Sequence, residues 1–450
     1  MGGRPPPETG GQPVTARSLA VRALVRQEQS GYSNLVWDAA VKACRPPLEP
    51  RDAAFAARIF YTTLERQNFL DYCLNRFSRR PVAKLDAPVR AILRAGLAQA
   101  RFMQVPLPAA VNESVKLTKA MGKTSAAGMV NAVLRRAAAL KVEPGDFPDP
   151  LDRLIQYHSL SRPVAELLYA QYSEQADALA AAMLRDPDAP TAIRVNPLAA
   201  TDETLANTLT EAGHTVQPGP WPHCLLVHFQ GSPADTKPFR QGHYHVQGLA
   251  SQLAALNVDA RPGDRVWDAC AAPGGKSLTL AQCMQDKGTL QSGEFVPARV
   301  QLIRQAFDRC GITCGEAVCA DAAVPTGRTF DKILCDVPCS GLGVIAKKPD
   351  IRYKSLDGMA ELLAVQQAIL QNAAQSLAAG GRLVYSTCTI NRQENEQQIE
   401  TFLSQNPNFR TVLPKITLPG AQTTPLGTLL LPQNTGTDGF FVCILERSSV

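Results

Sequence analysis

The sequence predicts three consecutive parts: an all-α domain in front, a small α+β domain in the middle, and an α/β domain with a doubly wound parallel sheet behind. Three observations carry this prediction. Residues 16–141 show helical periodicity broken by prolines. From about residue 245 onward, apolar strand-like runs alternate with helical segments. Within that stretch a glycine turn joins a strand to a helix, and two later strands each run into a cysteine, Cys339 and Cys388.

The boundaries follow in order. Residues 1–14 are rich in Gly and Pro and read as a disordered tail, without the apolar core of a signal peptide. Residues 15–145 form the helical domain. Val89, Ile92, Leu93 and Leu97 mark one apolar face, and Val130, Val133 and Leu134 another, with Arg135-Arg136 on the exposed side. Pro144 to Pro150 holds three prolines and reads as a linker. Residues 146–244 form the α+β domain, with helical pattern from Val164 to Met183 and a strand at Thr191–Val195.

The α/β domain spans residues 245–450. Its expected strands are Arg265–Asp268, Thr289–Glu294, Gly315–Ala320, Lys332–Asp336 and Arg382–Thr387, with a closing strand at Gly439–Leu445. Helices are expected at Ser277–Met284, Ala298–Cys310, Met359–Leu377 and Arg392–Ser404. The uncharged stretch from Leu362 to Gly381 is interrupted by glutamines and reads as an amphipathic helix, not a membrane span.

Charge is unevenly distributed. Residues 1–145 hold 22 Lys and Arg against 10 Asp and Glu, a balance of +12; the remainder holds 24 against 30, a balance of −6. A basic front on a slightly acidic body points to a polyanion, most simply nucleic acid. A solvated basic helical surface would look the same. The twelve cysteines include no C-x-x-C pair, so neither a disulfide framework nor a common zinc site is expected, and no metal. A reducing cytoplasm fits best.

The glycine turn is Asp268-Ala269-Cys270-Ala271-Ala272-Pro273-Gly274-Gly275-Lys276-Ser277. A phosphate P-loop needs a glycine where Cys270 stands, and the dinucleotide pattern G-x-G-x-x-G is absent. S-adenosylmethionine is the third reading, because its amino acid part needs close backbone approach, which adjacent glycines allow. That reading wants an acid after the second strand for the ribose, and Glu294 stands there. It wants a polar residue after the third strand for the adenine, and Asp321 fits. Asp336 follows the fourth strand. Each acid alone is more often a helix cap or a loop carboxylate; together with Asp268 they stand at four successive strand ends, where open α/β sheets bind ligands.

Cys339 lies in Asp336-Val337-Pro338-Cys339-Ser340-Gly341, and Cys388 in Tyr385-Ser386-Thr387-Cys388-Thr389. Strand-end thiols beside a cofactor loop point to covalent catalysis on a base. The residues alone leave open which thiol attacks.

With these motifs in order and register, the chain resembles the RNA cytosine-C5 methyltransferases. The likeness extends through Arg194-Val195-Asn196-Pro197, Val246–Gln252, Lys348-Pro349-Asp350-Ile351-Arg352 and Asp438-Gly439-Phe440-Phe441. The front domain, ending in Met129-Val130-Asn131-Ala132-Val133-Leu134-Arg135-Arg136, is similar to NusB-like RNA-binding domains. That combination is similar to the branch of the family that methylates 16S ribosomal RNA.

The resemblance implies a NusB-like helical domain, a connecting α+β domain and a Rossmann-like methyltransferase domain using S-adenosylmethionine. Cys270, Ala271, Ala272, Pro273, Gly274, Gly275 and Lys276 would line the methionine part of the cofactor. Glu294 would hold the ribose, Asp321 the adenine, and Arg299 would support the site. Asp336 would face both cofactor and target cytosine, Cys388 would be the nucleophile, and Cys339 would assist product release. The expected partner is RNA, unpaired at the target, with no membrane and a monomeric chain. Two positions depart from the family pattern. The ribose acid is usually aspartate with a second acid two residues on, where Val296 stands here, and an acid is common at Gly248, a position expected in a surface loop. A methyltransferase for tRNA, or a non-catalytic assembly factor, would share much of this pattern; the front domain argues against the first and intact Cys339, Cys388 and Asp336 against the second.

Overall fold

A computed structural model describes residues 14–29, 32–186 and 188–449. The expected tail, residues 1–14, lies outside the described residues except for Val14. The chain forms two compact units. One comprises residues up to Ala165 together with Lys348–Lys354; the other comprises Glu166–Lys347 and Ser355 onward.

The first unit is all-α. Helices run over Ala16–Gln27, Ser33–Ala43, Pro50–Glu65, Gln67–Asn75, Ala87–Phe102, Leu107–Ala120 and Ala127–Ala139. Proline stands in the first turn of the third, fifth and sixth of these, where its missing N–H costs nothing. The expected faces meet in one core: Val89, Ile92, Leu93, Leu97, Val130, Val133 and Leu134 are all buried in it. Gly96 permits the closest crossing, since a Cβ there would stand 2.5 Å from Ser114 Oγ and 2.9 Å from Leu134. Part of the positive charge is used internally: Arg94 is buried and pairs with Asp71 at 2.7 Å and Glu28 at 2.9 Å. Arg135 and Arg136 are exposed, as the pattern predicts.

The unit runs further than residue 145. Phe147 is buried, 5.0 Å from Tyr72, and Tyr157 packs edge-on against Phe69 at 5.6 Å. Aromatic burial therefore holds the proline-rich stretch against the helices. A short 3-10 turn, Pro349–Tyr353, also belongs to this unit. Arg352 is fully buried and donates to the His158 carbonyl at 2.8 Å; Tyr353 donates to the Leu64 carbonyl at 2.6 Å; Asp350 accepts from the Ser33 amide at 3.2 Å.

The second unit contains two sheets. Strands β1 (Thr191–Val195), β2 (Thr215–Pro218), β3 (Cys224–His228) and β4 (Tyr244–Val246) form an antiparallel sheet in the order β2-β3-β1-β4. Helix Asp202–Glu211 covers it through Leu205 and Leu209. The larger sheet holds β5 (Arg265–Asp268), β6 (Thr289–Glu294), β7 (Gly315–Cys319), β8 (Phe330–Asp336) and β9 (Leu377–Thr387), followed by β10 (Phe409–Val412), β11 (Gln422–Thr424), β12 (Gly427–Leu430) and β13 (Phe440–Arg447). Its order is β11-β12-β13-β9-β8-β5-β6-β7, with β10 also on β13.

The expected parallel sheet is thus a mixed one. The strands from β5 to β9 run parallel, but β13 pairs antiparallel with β9, and β10 to β12 add antiparallel strands beyond it. An antiparallel edge on an α/β sheet needs no crossover helix, only short turns. The expected helix at Arg392–Ser404 begins instead at Glu396, because Asn391 and Asn395 bond locally: Asn391 accepts from the Gln393 amide at 3.2 Å, and Asn395 donates to the Thr389 carbonyl at 3.0 Å.

Candidate active site at the strand ends

Parallel register brings the expected residues to one edge. Asp268 lies opposite Ser292 and Leu334, Glu294 opposite Cys319, and Asp336 opposite Ser386. Each acid, with its glycine or cysteine neighbours, therefore leaves the sheet at the same carboxyl end. This is the crevice in which doubly wound sheets hold ligands.

The glycine turn is held by its own backbone. The Ala271 amide donates to the Gly293 carbonyl at 2.8 Å, and the Gly274 amide to the Ala271 carbonyl at 2.7 Å. Gly274 has φ +106°, a conformation that strains any residue with a Cβ. Helix Gly275–Cys283 starts immediately after it. Asp268 is fully buried and accepts from Ser277 Oγ at 2.6 Å, while its other oxygen has no hydrogen-bond partner. Burial pushes its pKa up to about 7. Cys270, held deep in the turn, is pushed up as well, first by burial and then by nearby Cys335 and Asp268.

Glu294 is buried and its Oε1 accepts from the Val296 amide at 2.9 Å. The carboxylate thus folds back onto the amide of the residue that stands where the family's second acid is missing. Arg299 pairs with Glu294 at 3.3 Å and donates to the Ala272 carbonyl at 3.1 Å, so it braces both the acid and the turn. Asp321 is exposed and lines one cleft with Trp267, Ala269, Gln291 and Gly293. A Cβ at Gly293 would stand 3.1 Å from the Ala269 carbonyl. These residues fit an adenosyl methionine: a glycine-lined cradle, a braced buried acid, an exposed acid beyond it, and an unpartnered carboxylate oxygen beneath.

The reactive cluster lies between β8 and β9. Cys339 and Cys388 stand with their sulfurs 3.2 Å apart. Contact with Cys388 and burial push the Cys339 thiol well above the ordinary cysteine value. Lys276 donates to Asp336 Oδ2 at 2.7 Å, and Ser386 donates to Oδ1 at 2.7 Å. Burial opposes the Lys276 ammonium, yet the adjoining Asp336 carboxylate outweighs it and holds the lysine above its usual range. The Phe440 ring lies 5.8 Å from Nζ. Lys276, expected beside the cofactor, is therefore also the partner of Asp336.

Three polar neighbours escape sequence reasoning: Ser386, Gln366 and Glu394. Ser386 reads as strand, Gln366 as one glutamine among several on a helix, and Glu394 as the first turn of a helix. The only available signal for Glu394 is its place six residues after Cys388. Gly248 caps helix Leu249–Asn257, and a Cβ there would meet Lys347 Nζ at 3.1 Å. It is half-buried, and a side chain there would need the ends of Lys347 and Asp438 to shift by a few tenths of an ångström.

A strand-end cradle for an adenosyl cofactor beside paired thiols defines a methyltransferase. Comparison with known proteins gives the particular kind. Residues 255–446 match the family described as 16S rRNA methyltransferase RsmB/F, residues 14–139 the NusB family, and residues 164–232 the ferredoxin-like domain of RsmF/B-like methyltransferases. The chain is 34% identical to the probable ribosomal RNA small subunit methyltransferase B of Bacillus subtilis, covering 96% of this chain and 99% of that one. It is 32% identical to the probable counterpart in Synechocystis, covering 97% and 100%. Among solved structures, a methyltransferase homologue from Pyrococcus horikoshii is 28% identical with a TM-score of 0.59, covering 67% of this chain and 99% of that one. PH0851, at 24% identity, shares the fold with a TM-score of 0.80 over 97% of this chain and 100% of that one. The chain belongs to the 16S rRNA methyltransferase RsmB/F family and is an S-adenosylmethionine-dependent RNA methyltransferase. Among the described residues no helix is long and apolar enough to cross a membrane.

Proposed function

We propose that this protein methylates carbon 5 of a cytosine in 16S ribosomal RNA, through a covalent bond between Cys388 and carbon 6 of the base. The supporting observation is the sulfur pair, 3.2 Å apart, beside the Lys276–Asp336 ion pair. When bound, S-adenosylmethionine supplies an electrophilic methyl group. Cys270 to Lys276, Glu294, Arg299 and Asp321 hold it.

The protein's residues prepare the base. Carbon 5 of cytosine is a poor nucleophile until a thiolate adds to carbon 6. Cys388 takes that role: the Lys276 ammonium favours its thiolate, and a thiol at Cys339 can hydrogen-bond it. As the sulfur–carbon bond forms, the 5,6 double bond opens toward carbon 5. Asp336, held between Lys276 and Ser386, accepts from the base's amino edge, and Lys276 offers a proton toward the ring. Release reverses the addition. With the methyl group now bonded to carbon 5, the carbon 5 proton passes to water, the double bond re-forms, and the electron pair of the carbon–sulfur bond returns to the Cys388 sulfur. Cys339 donates to that departing thiolate and so improves it as a leaving group.

The substrate is RNA of an unassembled or partly assembled small subunit, met by a monomer in the cytoplasm. Methylation of a 16S transcript with labelled cofactor, read by bisulfite sequencing, tests the reading. The wild-type chain marks one cytosine. Cys388→Ala abolishes the mark, and Cys339→Ala accumulates a slow-migrating protein–RNA adduct on a denaturing gel. If Cys388→Ala traps RNA and Cys339→Ala does not, the two roles are reversed.

A further inference from the structure

Beneath the sulfur pair lies a carboxylate that none of the roles above uses. Glu394 is fully buried. Its Oε2 accepts from the Ser340 amide at 2.7 Å and from Gln366 Nε2 at 3.0 Å. Its Oε1 accepts from Ser340 Oγ at 2.6 Å, Asn391 Nδ2 at 3.1 Å and Thr389 Oγ1 at 3.4 Å. Ser340 follows Cys339 directly, and Thr389 follows Cys388. Gln366 also donates to the carbonyl of Pro338, the residue before Cys339, at 2.9 Å. One side chain thus gathers the flanks of both cysteines.

We propose that Glu394 is a positioning residue for the reaction: its carboxylate ties the two cysteine loops together and so sets the contact between the two sulfurs. This rests on the reading that Cys339 and Cys388 are the reacting thiols.

Three further facts support it. Ser340 Oγ and Thr389 Oγ1 lie 2.8 Å apart. The single Thr389 hydroxyl proton serves either Ser340 Oγ or Glu394 Oε1, and the Ser340 hydroxyl donates to Glu394, so the hydroxyls beside both cysteines converge on the carboxylate. Second, the hydrogen-bond partners of Glu394 are an amide N–H, hydroxyls and side-chain amides, with no cation among those described. Buried charge-assisted bonds of this kind are short and strong, and losing one strands the rest. Third, its charge is among the groups that disfavour a Cys339 thiolate. The same carboxylate therefore ties the flanks of both cysteines and opposes negative charge on Cys339. The two loops are otherwise tied by the Gly343 amide donating to the Cys388 carbonyl at 3.0 Å and the Val337 amide to the Ser386 carbonyl at 3.1 Å.

The test uses the full chain carrying Glu394→Gln, which keeps the shape and removes the charge. Misplacing a reacting group by about 1 Å costs on the order of 100-fold in rate, and a loss of kcat of about that size is expected, with RNA and cofactor affinities and melting temperature kept. The pH profile of iodoacetamide alkylation of the two thiols should move to lower pH, which a merely structural role would not produce. Unchanged kcat overturns the proposal. So does a loss that follows cofactor affinity instead of kcat, or one with an unmoved alkylation profile. If Glu394→Gln does not fold, Ser340→Ala removes one donor and leaves the charge; a fall in kcat of about tenfold is expected from losing a hydrogen bond to a charged group, and wild-type kcat overturns the proposal. Cys388→Ala run alongside separates the two levels. If it remains active, the assignment of the thiols fails; if it is dead while Glu394→Gln turns over normally, only the role of Glu394 fails.

Discussion

At the scale of single residues, the site depends on which groups hold charge. Lys276 and Asp336 form a half-buried pair, and each leaves the other uncompensated if removed. Lys276→Met should lower kcat by about 100-fold or more, as loss of an electrostatic contact in a dry site does. Cofactor affinity, measured by calorimetry, should fall far less, because the glycine turn is held by backbone bonds. Asp268 gives a prediction in pH. Its folded pKa is raised to about 7 from an ordinary 3.8. Between those values the folded chain keeps a proton that the unfolded chain releases. Stability from this group therefore falls as pH rises through that window, and the cost is complete above it. Asp268→Asn should raise the melting temperature relative to wild type more at pH 7.5 than at pH 5. An equal shift at both values would show that Asp268 is ionised in the fold. Residues such as Asp336, Cys339 and Cys388 were legible because each follows a strand-like run, and the period of two fixes where that run ends. Glu394 was not, since nothing local separates a buried acceptor from an acid in the first turn of a helix.

At the scale of elements, the parallel strands were legible and the antiparallel ones largely not. β5 and β6 have the expected limits, and β8 and β9 only start earlier. Their apolar runs are buried on both faces and bounded by turn residues. β10, β11 and β12 are short, and β11 is exposed throughout, so no burial pattern marks it. β10 and β12 exist because β13 offers them an edge, and β11 pairs in turn with β12. One contact in this region is exacting. A Cβ at Gly343 would lie 1.8 Å from the Gly439 carbonyl and 2.9 Å from the Cys388 carbonyl. Gly343→Ala must move the strand carrying Phe440 or the Cys388 loop. Activity should drop by about 100-fold, in line with a misplacement of about 1 Å, while cofactor titration remains close to wild type. Loss of cofactor binding as well would show that the whole edge has opened.

At the scale of the whole molecule, the charge split becomes a statement about RNA. The helical unit carries exposed Arg135 and Arg136, while Arg94 is taken up by internal pairs. Each phosphate contact on a single strand contributes roughly −0.7 to the slope of log affinity against log salt. Changing Arg135 and Arg136 together to Gln should weaken RNA binding and flatten that slope by up to two such contacts, with cofactor binding unchanged. An unaltered slope would make this face a solvated surface with no role in RNA binding. The three-part plan was legible from composition and period. The return of residues 348–354 to the helical unit was not, because nothing in Pro349–Tyr353 reads as an element of a helical core.

That return has a consequence for the order in which the protein is made. Ala165 is followed by 182 residues before Lys348. At synthesis rates of roughly 5–20 residues per second, the helical unit waits on the order of ten to forty seconds for its last piece. During that interval the Leu64 and His158 carbonyls and the Ser33 amide lack the partners that Tyr353, Arg352 and Asp350 later supply. A nascent front domain is therefore an unfinished one, and its completion reports that the strand carrying Asp336 and the loop carrying Cys339 have already been translated. A fragment of residues 14–165 should be cleaved by protease faster than the same segment in the full chain, and a synthetic peptide of residues 348–354 should slow that cleavage.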